Sequence, residues 1–238
     1  MRTDSTWKSL FKAVAIAALV AALLFRRNIG AEVSLFTGAS AIPHTAADWF
    51  SLLQTNPFVG LSFLAVFDLA NYFLEGLIFL ALAALLWQAG KSRVTVAQAS
   101  GLVGIAVNFS TNISLSMFSL SQQYVAASTE AQKSALLSAG QALLAFNSLM
   151  TNFPGTGTYL TWLLVALAGL GFSSLLLRSH RATAIIGLLA DGCDLAFCLT
   201  FTFSPVLQTI LMSFGGAFWM IWHLLVARIL FQHTKEQT

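Results

Sequence analysis

The stretch "DLANYFLEGLIFLALAALLW", residues 68–87, is apolar over most of its length yet carries Asp68, Asn71 and Glu75 near its start. A run of this length matches the roughly 20 residues a helix needs to cross a hydrocarbon core of about 30 Å. A carboxylate at the centre of such a helix costs on the order of 2.5–3.5 kcal/mol if it faces lipid. The segment therefore reads as a membrane helix with one face turned toward other protein. The whole chain agrees with that solvent. Of 238 residues 57% are hydrophobic and only 9% are charged, against about 25% charged in ordinary soluble domains. With 20 Phe and 6 Trp, a soluble chain this short could not bury its apolar surface.

Working outward, six runs are long enough to span: 9–26, 58–88, 98–121, 157–178, 182–203 and 206–231. They imply one transmembrane domain over residues 1–238, an all-α bundle with outer loops at 27–57 and 122–156. The second run exceeds what a bilayer needs and is expected to tilt or protrude. The fifth and sixth are joined at Ser204-Pro205. The first has a basic flank (Arg2, Lys8, Lys12) but ends in Arg26-Arg27 without a small-residue cleavage site, so it reads as a retained helix.

Charge sets the orientation. With the N-terminus in the cytoplasm, Arg2, Lys8, Lys12, Lys91, Arg93, Arg178, Arg181, Arg228 and Lys235 fall inside. Arg26, Arg27 and Lys133 fall outside, so the twelve cations divide nine to three. That bias predicts N-in, C-in. Trp7, Trp49, Trp87 and Trp162 stand near predicted interfaces, as an aromatic belt would. The net charge of +3 sits at the ends of apolar runs, which implies no nucleic-acid partner.

Each outer loop holds an amphipathic stretch. In "HTAADWFSLLQTNP" (44–57), Thr45 and Asp48 have capping-box spacing and Asn56-Pro57 forms a stop. In "STEAQKSALLSAGQALLAFN" (128–147), Thr129 and Gln132 have the same relation, and Leu136, Leu137, Leu143 and Leu144 share a face. Both predict short helices on the outer surface. Asp-Leu-Ala recurs at 68–70 and 194–196, a weak sign of the inverted repeats some transporters use. Cys193 and Cys198, five apart on one helix, read as small buried hydrophobes rather than a disulfide.

Four acids lie inside spans: Asp68, Glu75, Asp191 and Asp194. Asp68 and Glu75 are nearly two helical turns apart, with Asn71 close to their face, and Asp191 and Asp194 are neighbours at i, i+3. The third span offers Asn108 and Asn112 at i, i+4 among several Ser and Thr, and the sixth offers His223 beside Trp219 and Trp222. These residues predict a mid-membrane polar layer. Amides and hydroxyls there also serve as interhelical hydrogen-bond glue, whereas buried ionisable groups point to a functional site by default.

Enzyme patterns fit poorly. Intramembrane zinc hydrolysis needs several His ligands, and only His223 lies at depth. "FD" (67–68) and "LLADG" (188–192) put one Asp on each of two helices, without the Gly-before-Asp context of intramembrane aspartyl proteases. "GFSS" (171–174) is not a serine-hydrolase elbow. No metal or cofactor is expected.

"DLANYFLEGLIFLALAALLW" (68–87), "SLSQQYVAASTEAQKSALLSAGQALLAFN" (119–147) and "LRSHRATAIIGLLADGCDLAF" (177–197) resemble a family of bacterial six-span integral membrane proteins known as a domain of unknown function. The resemblance implies that fold and the bacterial plasma membrane, and supplies no catalytic residues. The expected role is non-enzymatic: binding a small or lipidic ligand, or a cation or proton, at Asp68, Asn71, Glu75, Asn108, Asn112, Asp191, Asp194 and His223. Two other readings stay open, an accessory subunit packing against other membrane proteins and a lipid-modifying enzyme using paired carboxylates. Membrane lipid is a partner in all three.

Overall fold

The computed structural model describes residues 7–24, 43–147, 156–200 and 204–236. Ten α-helices and no strands occur among the described residues: α1 (Lys8–Leu24), α2 (Ala46–Thr55), α3 (Pro57–Phe63), α4 (Val66–Leu86), α5 (Lys91–Thr111), α6 (Ser114–Ala126), α7 (Glu130–Asn147), α8 (Thr156–Leu176), α9 (Arg181–Thr200) and α10 (Pro205–Glu236). Five stretches among them are long and apolar enough to cross a membrane: Val66–Ala89, Lys91–Ala126, Gly157–Leu176, Arg181–Thr200 and Val206–Lys235. The first expected span corresponds to α1, a 17-residue helix; Phe25 and Arg26, at its predicted end, and most of the outer loop at 27–57 lie outside the described residues.

The chain forms two compact units. One comprises 1–26, 71–108 and 159–238; the other comprises 27–70 and 109–158. Helices α4, α5 and α8 each pass from one unit to the other.

The first unit is built on a core from α1, α4, α5, α8, α9 and α10. Phe11, Ile78, Phe79, Leu82, Phe172, Trp219, Trp222 and Leu230 are among its fully buried side chains. Small residues let α5 and α8 approach: Ser100 Oγ donates to the Leu164 carbonyl at 3.0 Å, and Gly101 makes room for the Phe79 ring and Ala168. Such stripes drive helix association where lipid offers no hydrophobic gain. Outward-facing Val96 and Val103 on α5, Ile185 and Leu189 on α9, and Phe214 and Leu224 on α10 are exposed, as lipid-facing positions should be.

Three junctions gather at one end of this unit. His180, in the α8–α9 turn, and His233, near the end of α10, have ring centroids 5.9 Å apart. Gly90, between α4 and α5, lies beside Leu175 and Arg93. Lys91, Arg93, Arg178, Arg181 and Lys235 therefore belong to junctions that meet at the same end.

The second unit has its own core of Trp49, Phe50, Leu53, Leu64 and Met117, joined by Leu137, Leu143 and Leu144 of α7. Both expected capping boxes form. Thr45 and Asp48 bond reciprocally at the start of α2 (3.2 and 3.3 Å), and Thr129 and Gln132 do so at the start of α7 (3.2 and 3.3 Å). Lys133 donates to Glu130 at 3.0 Å, which raises its ammonium above the ordinary lysine range. Gln141 Oε1 accepts the Ala46 N–H at 3.1 Å, and Gly140 admits the Phe50 ring, so α7 seats closely on α2. Trp49 is a correction: it is 5% exposed and part of this core rather than a belt residue, because the α2 helix turns its 49/50/53 face toward α6 and α7. Trp7 and Trp87 are exposed, as a belt requires.

Two expected spans are broken. The run at 58–88 divides into α3 and α4 at Leu64-Ala65, which removes the need for one overlong tilted helix. The run at 98–121 divides at Asn112-Ile113. Asn112 stitches the breaks together. Its Nδ2 donates to the Ala65 carbonyl at 3.0 Å, and its Oδ1 accepts the Ser114 N–H at 3.0 Å and the Ser114 hydroxyl at 2.5 Å. Ala65 has φ of 61°, where an L side chain costs about 1–2 kcal/mol. Ala65→Gly should therefore raise stability by about 0.5–1 kcal/mol after the entropy that glycine loses, measured by denaturant unfolding in micelles. A lower stability would contradict this account of the break.

Candidate functional site

The expected polar layer divides between the units. Asn71, Glu75, Asn108, Asp191, Asp194 and His223 belong to the first; Asp68 and Asn112 belong to the second. Asp68 is exposed, contrary to the expectation that it faces inward with Glu75. The break at Ala65 explains this. Asp68 falls in the first turn of α4, where a carboxylate complements the positive end of the helix dipole. Asn112 holds the helix break through its bonds to Ala65 and Ser114.

In the first unit, α4, α9 and α10 bring three acids and His223 together. His223 is fully buried, and its Nε2 lies 2.6 Å from Glu75 Oε2, with side-chain exposures of 0% and 3%. Its Nδ1 lies 2.7 Å from the Trp219 carbonyl. A carbonyl oxygen only accepts, so Nδ1 carries a proton and donates it. Nε2 then either accepts from a protonated Glu75 or, in the imidazolium, donates to the carboxylate. Both forms hold one proton between Nε2 and Oε2, and both leave the pair with no net charge. The i−4 bond on Nδ1 thus fixes the ring for its partner on α4.

Asp194 is held differently. Its Oδ2 accepts the Trp219 indole N–H at 2.8 Å. Trp219 therefore serves two neighbours, giving its N–H to Asp194 and its carbonyl to His223. Trp222 stands edge-on to both Trp219 and His223, with centroids 5.1 and 5.4 Å away.

Asp191 has no such support. It is 1% exposed, and among the described residues neither carboxyl oxygen has a hydrogen-bond partner. It lies within electrostatic reach of Asp194 and Glu75. Its carboxyl sits over Gly169 of α8 so closely that a Cβ there would overlap it. One turn along each helix the pattern repeats: Gly187 of α9 leaves room for Ser173 Oγ of α8 and the Trp222 indole nitrogen. Ser173 Oγ and Trp222 Nε1 are buried without partners, as are Glu75 Oε1, Asn71 Oδ1 and Asn108 Oδ1. Unpaired buried polar atoms are few in native proteins, and each calls for an explanation such as a bound water or ion. Asp191 thus marks a buried region with unused acceptors and two unused donors.

Several of these groups escaped sequence reasoning. Trp219 was legible only as an aromatic neighbour of His223, not as the donor to Asp194. Trp222 was legible in the same way, whereas Gly169, Ser173 and Gly187 were not set apart as neighbours of the acids. The signal was present as small residues one turn from a polar one, Gly169 with Ser173 and Gly187 with Asp191. Neither Cys193 nor Cys198 forms a disulfide; Cys198 is buried and Cys193 half-buried. Among the described residues, no three His, Cys, Asp or Glu side chains are grouped to hold a metal ion. Comparison with protein-family models, curated proteins and solved structures finds no match to this chain.

Proposed function

We propose that this chain is a six-span, N-in/C-in protein of the bacterial plasma membrane whose buried acid layer binds a proton or small cation at Asp191, beside a Glu75–His223 pair that holds a second proton. The observation that carries this reading is the Asp191 carboxyl, sealed from solvent with neither oxygen paired. A bare carboxylate in that setting is costly, and neutralisation is the usual escape. A proton is the smallest neutralising group and needs no preassembled ligand cage. Glu75 Oε1 and Asn71 Oδ1 supply further acceptors in the same unit. The orientation is supported by the meeting of three basic junctions at one end. The bacterial setting rests on the family resemblance of 68–87, 119–147 and 177–197.

The test is acid–base titration of the full chain in lipid nanodiscs, wild type against Asp191→Asn. The expected difference is about one proton per chain taken up while both remain folded. Identical titration curves over that range would refute the site.

A second reading has its own observation. The bonds Trp219–Asp194 and His223–Glu75 tie α4, α9 and α10 together, as struts would in an accessory subunit of a membrane complex. Purification in mild detergent separates the two, since a stoichiometric protein partner lost on disrupting an outer face favours the subunit.

A further inference from the structure

One groove outside the acid layer combines lipid-like features. It lies in the first unit, has a volume of about 420 Å³, and is lined by Leu19 of α1 and by Leu224, Ala227, Arg228, Phe231, Gln232 and Lys235 of α10. On α10, Leu224, Arg228, Gln232 and Lys235 follow at spacings of one turn each, about 5–6 Å apart along the axis. The groove therefore changes character along its length. Its inner part is apolar, with Leu19 and Leu224 exposed at 39% and 46%. Its outer part carries two cations and an amide, near the end of α10 where the basic junctions gather.

We infer that this groove binds an anionic phospholipid. An acyl chain lies along Leu19, Leu224 and Ala227, and the phosphate sits between Arg228 and Lys235, beside Phe231 and with Gln232 able to donate. Along α10, apolar Leu224 and Ala227 precede all three polar groups, Arg228, Gln232 and Lys235, which is the order a lipid presents from tail to headgroup. A basic pocket between membrane helices on the positively flanked side suits anionic headgroups. A free phosphate uses only the polar end and leaves the exposed leucines unaccounted for, so the commitment is to lipid. The site is independent of the acid layer.

The experiment titrates the full chain in mild detergent with phosphatidylglycerol, phosphatidylcholine of the same acyl chains, and inorganic phosphate, reading binding by native mass spectrometry. Wild type should prefer phosphatidylglycerol, and Arg228→Gln/Lys235→Gln should lose about 30-fold in affinity for it. Gln232→Glu, which removes neither cation, should weaken binding as well and guards against misfolding of the double variant. Equal binding of the two lipids, unchanged phosphatidylglycerol affinity in both variants, or competition by inorganic phosphate as strong as by lipid would overturn the assignment.

Discussion

Glu75→Ala should destabilise the protein by about 3–5 kcal/mol, because it removes the carboxyl that bonds Nε2 of the buried His223. The imidazole would keep its bond to the Trp219 carbonyl and lose the 2.6 Å contact of Nε2 in a sealed core. Glu75→Gln should cost far less, about 1 kcal/mol, since its amide can donate to Nε2 with Nδ1 still protonated. The double change Glu75→Leu/His223→Leu should cost clearly less than the sum of the two single changes, because no polar group is then stranded. Denaturant unfolding in micelles measures all five variants. Glutamine as damaging as alanine, or strictly additive single effects, would mean that the 2.6 Å contact does not couple α4 to α10.

Gly169→Ala is the second large effect. A Cβ at this position would overlap the Asp191 carboxyl, and overpacking of this kind costs about 1–3 kcal/mol, sometimes more. The cost should nearly vanish in an Asp191→Ala background, where the obstructing group is gone. Asp191→Ala alone should be close to neutral or stabilising, since it removes a buried group without partners. Thermal unfolding of the four proteins gives the coupling directly. An equal cost for Gly169→Ala in both backgrounds would place Asp191 elsewhere than over Gly169.

How much of this was legible follows from the kind of signal each feature left. The apolar runs fixed the helices at 157–178, 182–203 and 206–231 within a few residues, because length and hydropathy are local properties. Thr45/Asp48 and Thr129/Gln132 foretold two helix starts for the same reason. The breaks at Ala65 and Asn112 were hidden. Neither carries Gly or Pro; the first run stays apolar across Ala65, and the Asn, Ser and Thr around Asn112 read equally as interhelical hydrogen-bond glue. Asp68 keeps the face of Glu75 along α4, but the first break sets it in the first turn of that helix. A first-turn position instead leaves it exposed. The meeting of Glu75 with His223, 148 residues apart, is a tertiary event. Spacing showed that each was polar at depth and gave no way to choose partners. Trp49 was misread because an amphipathic helix presents the same pattern to headgroups and to a protein core.

The most direct test of the buried acid layer is infrared difference spectroscopy of the full chain in nanodiscs after a pH step, comparing wild type, Asp191→Asn and Glu75→Gln. A carboxylic-acid carbonyl band that responds to pH in wild type, is lost in Asp191→Asn and persists in Glu75→Gln is the predicted result. A difference spectrum unchanged by Asp191→Asn would contradict proton binding at Asp191 and leave the acids as struts.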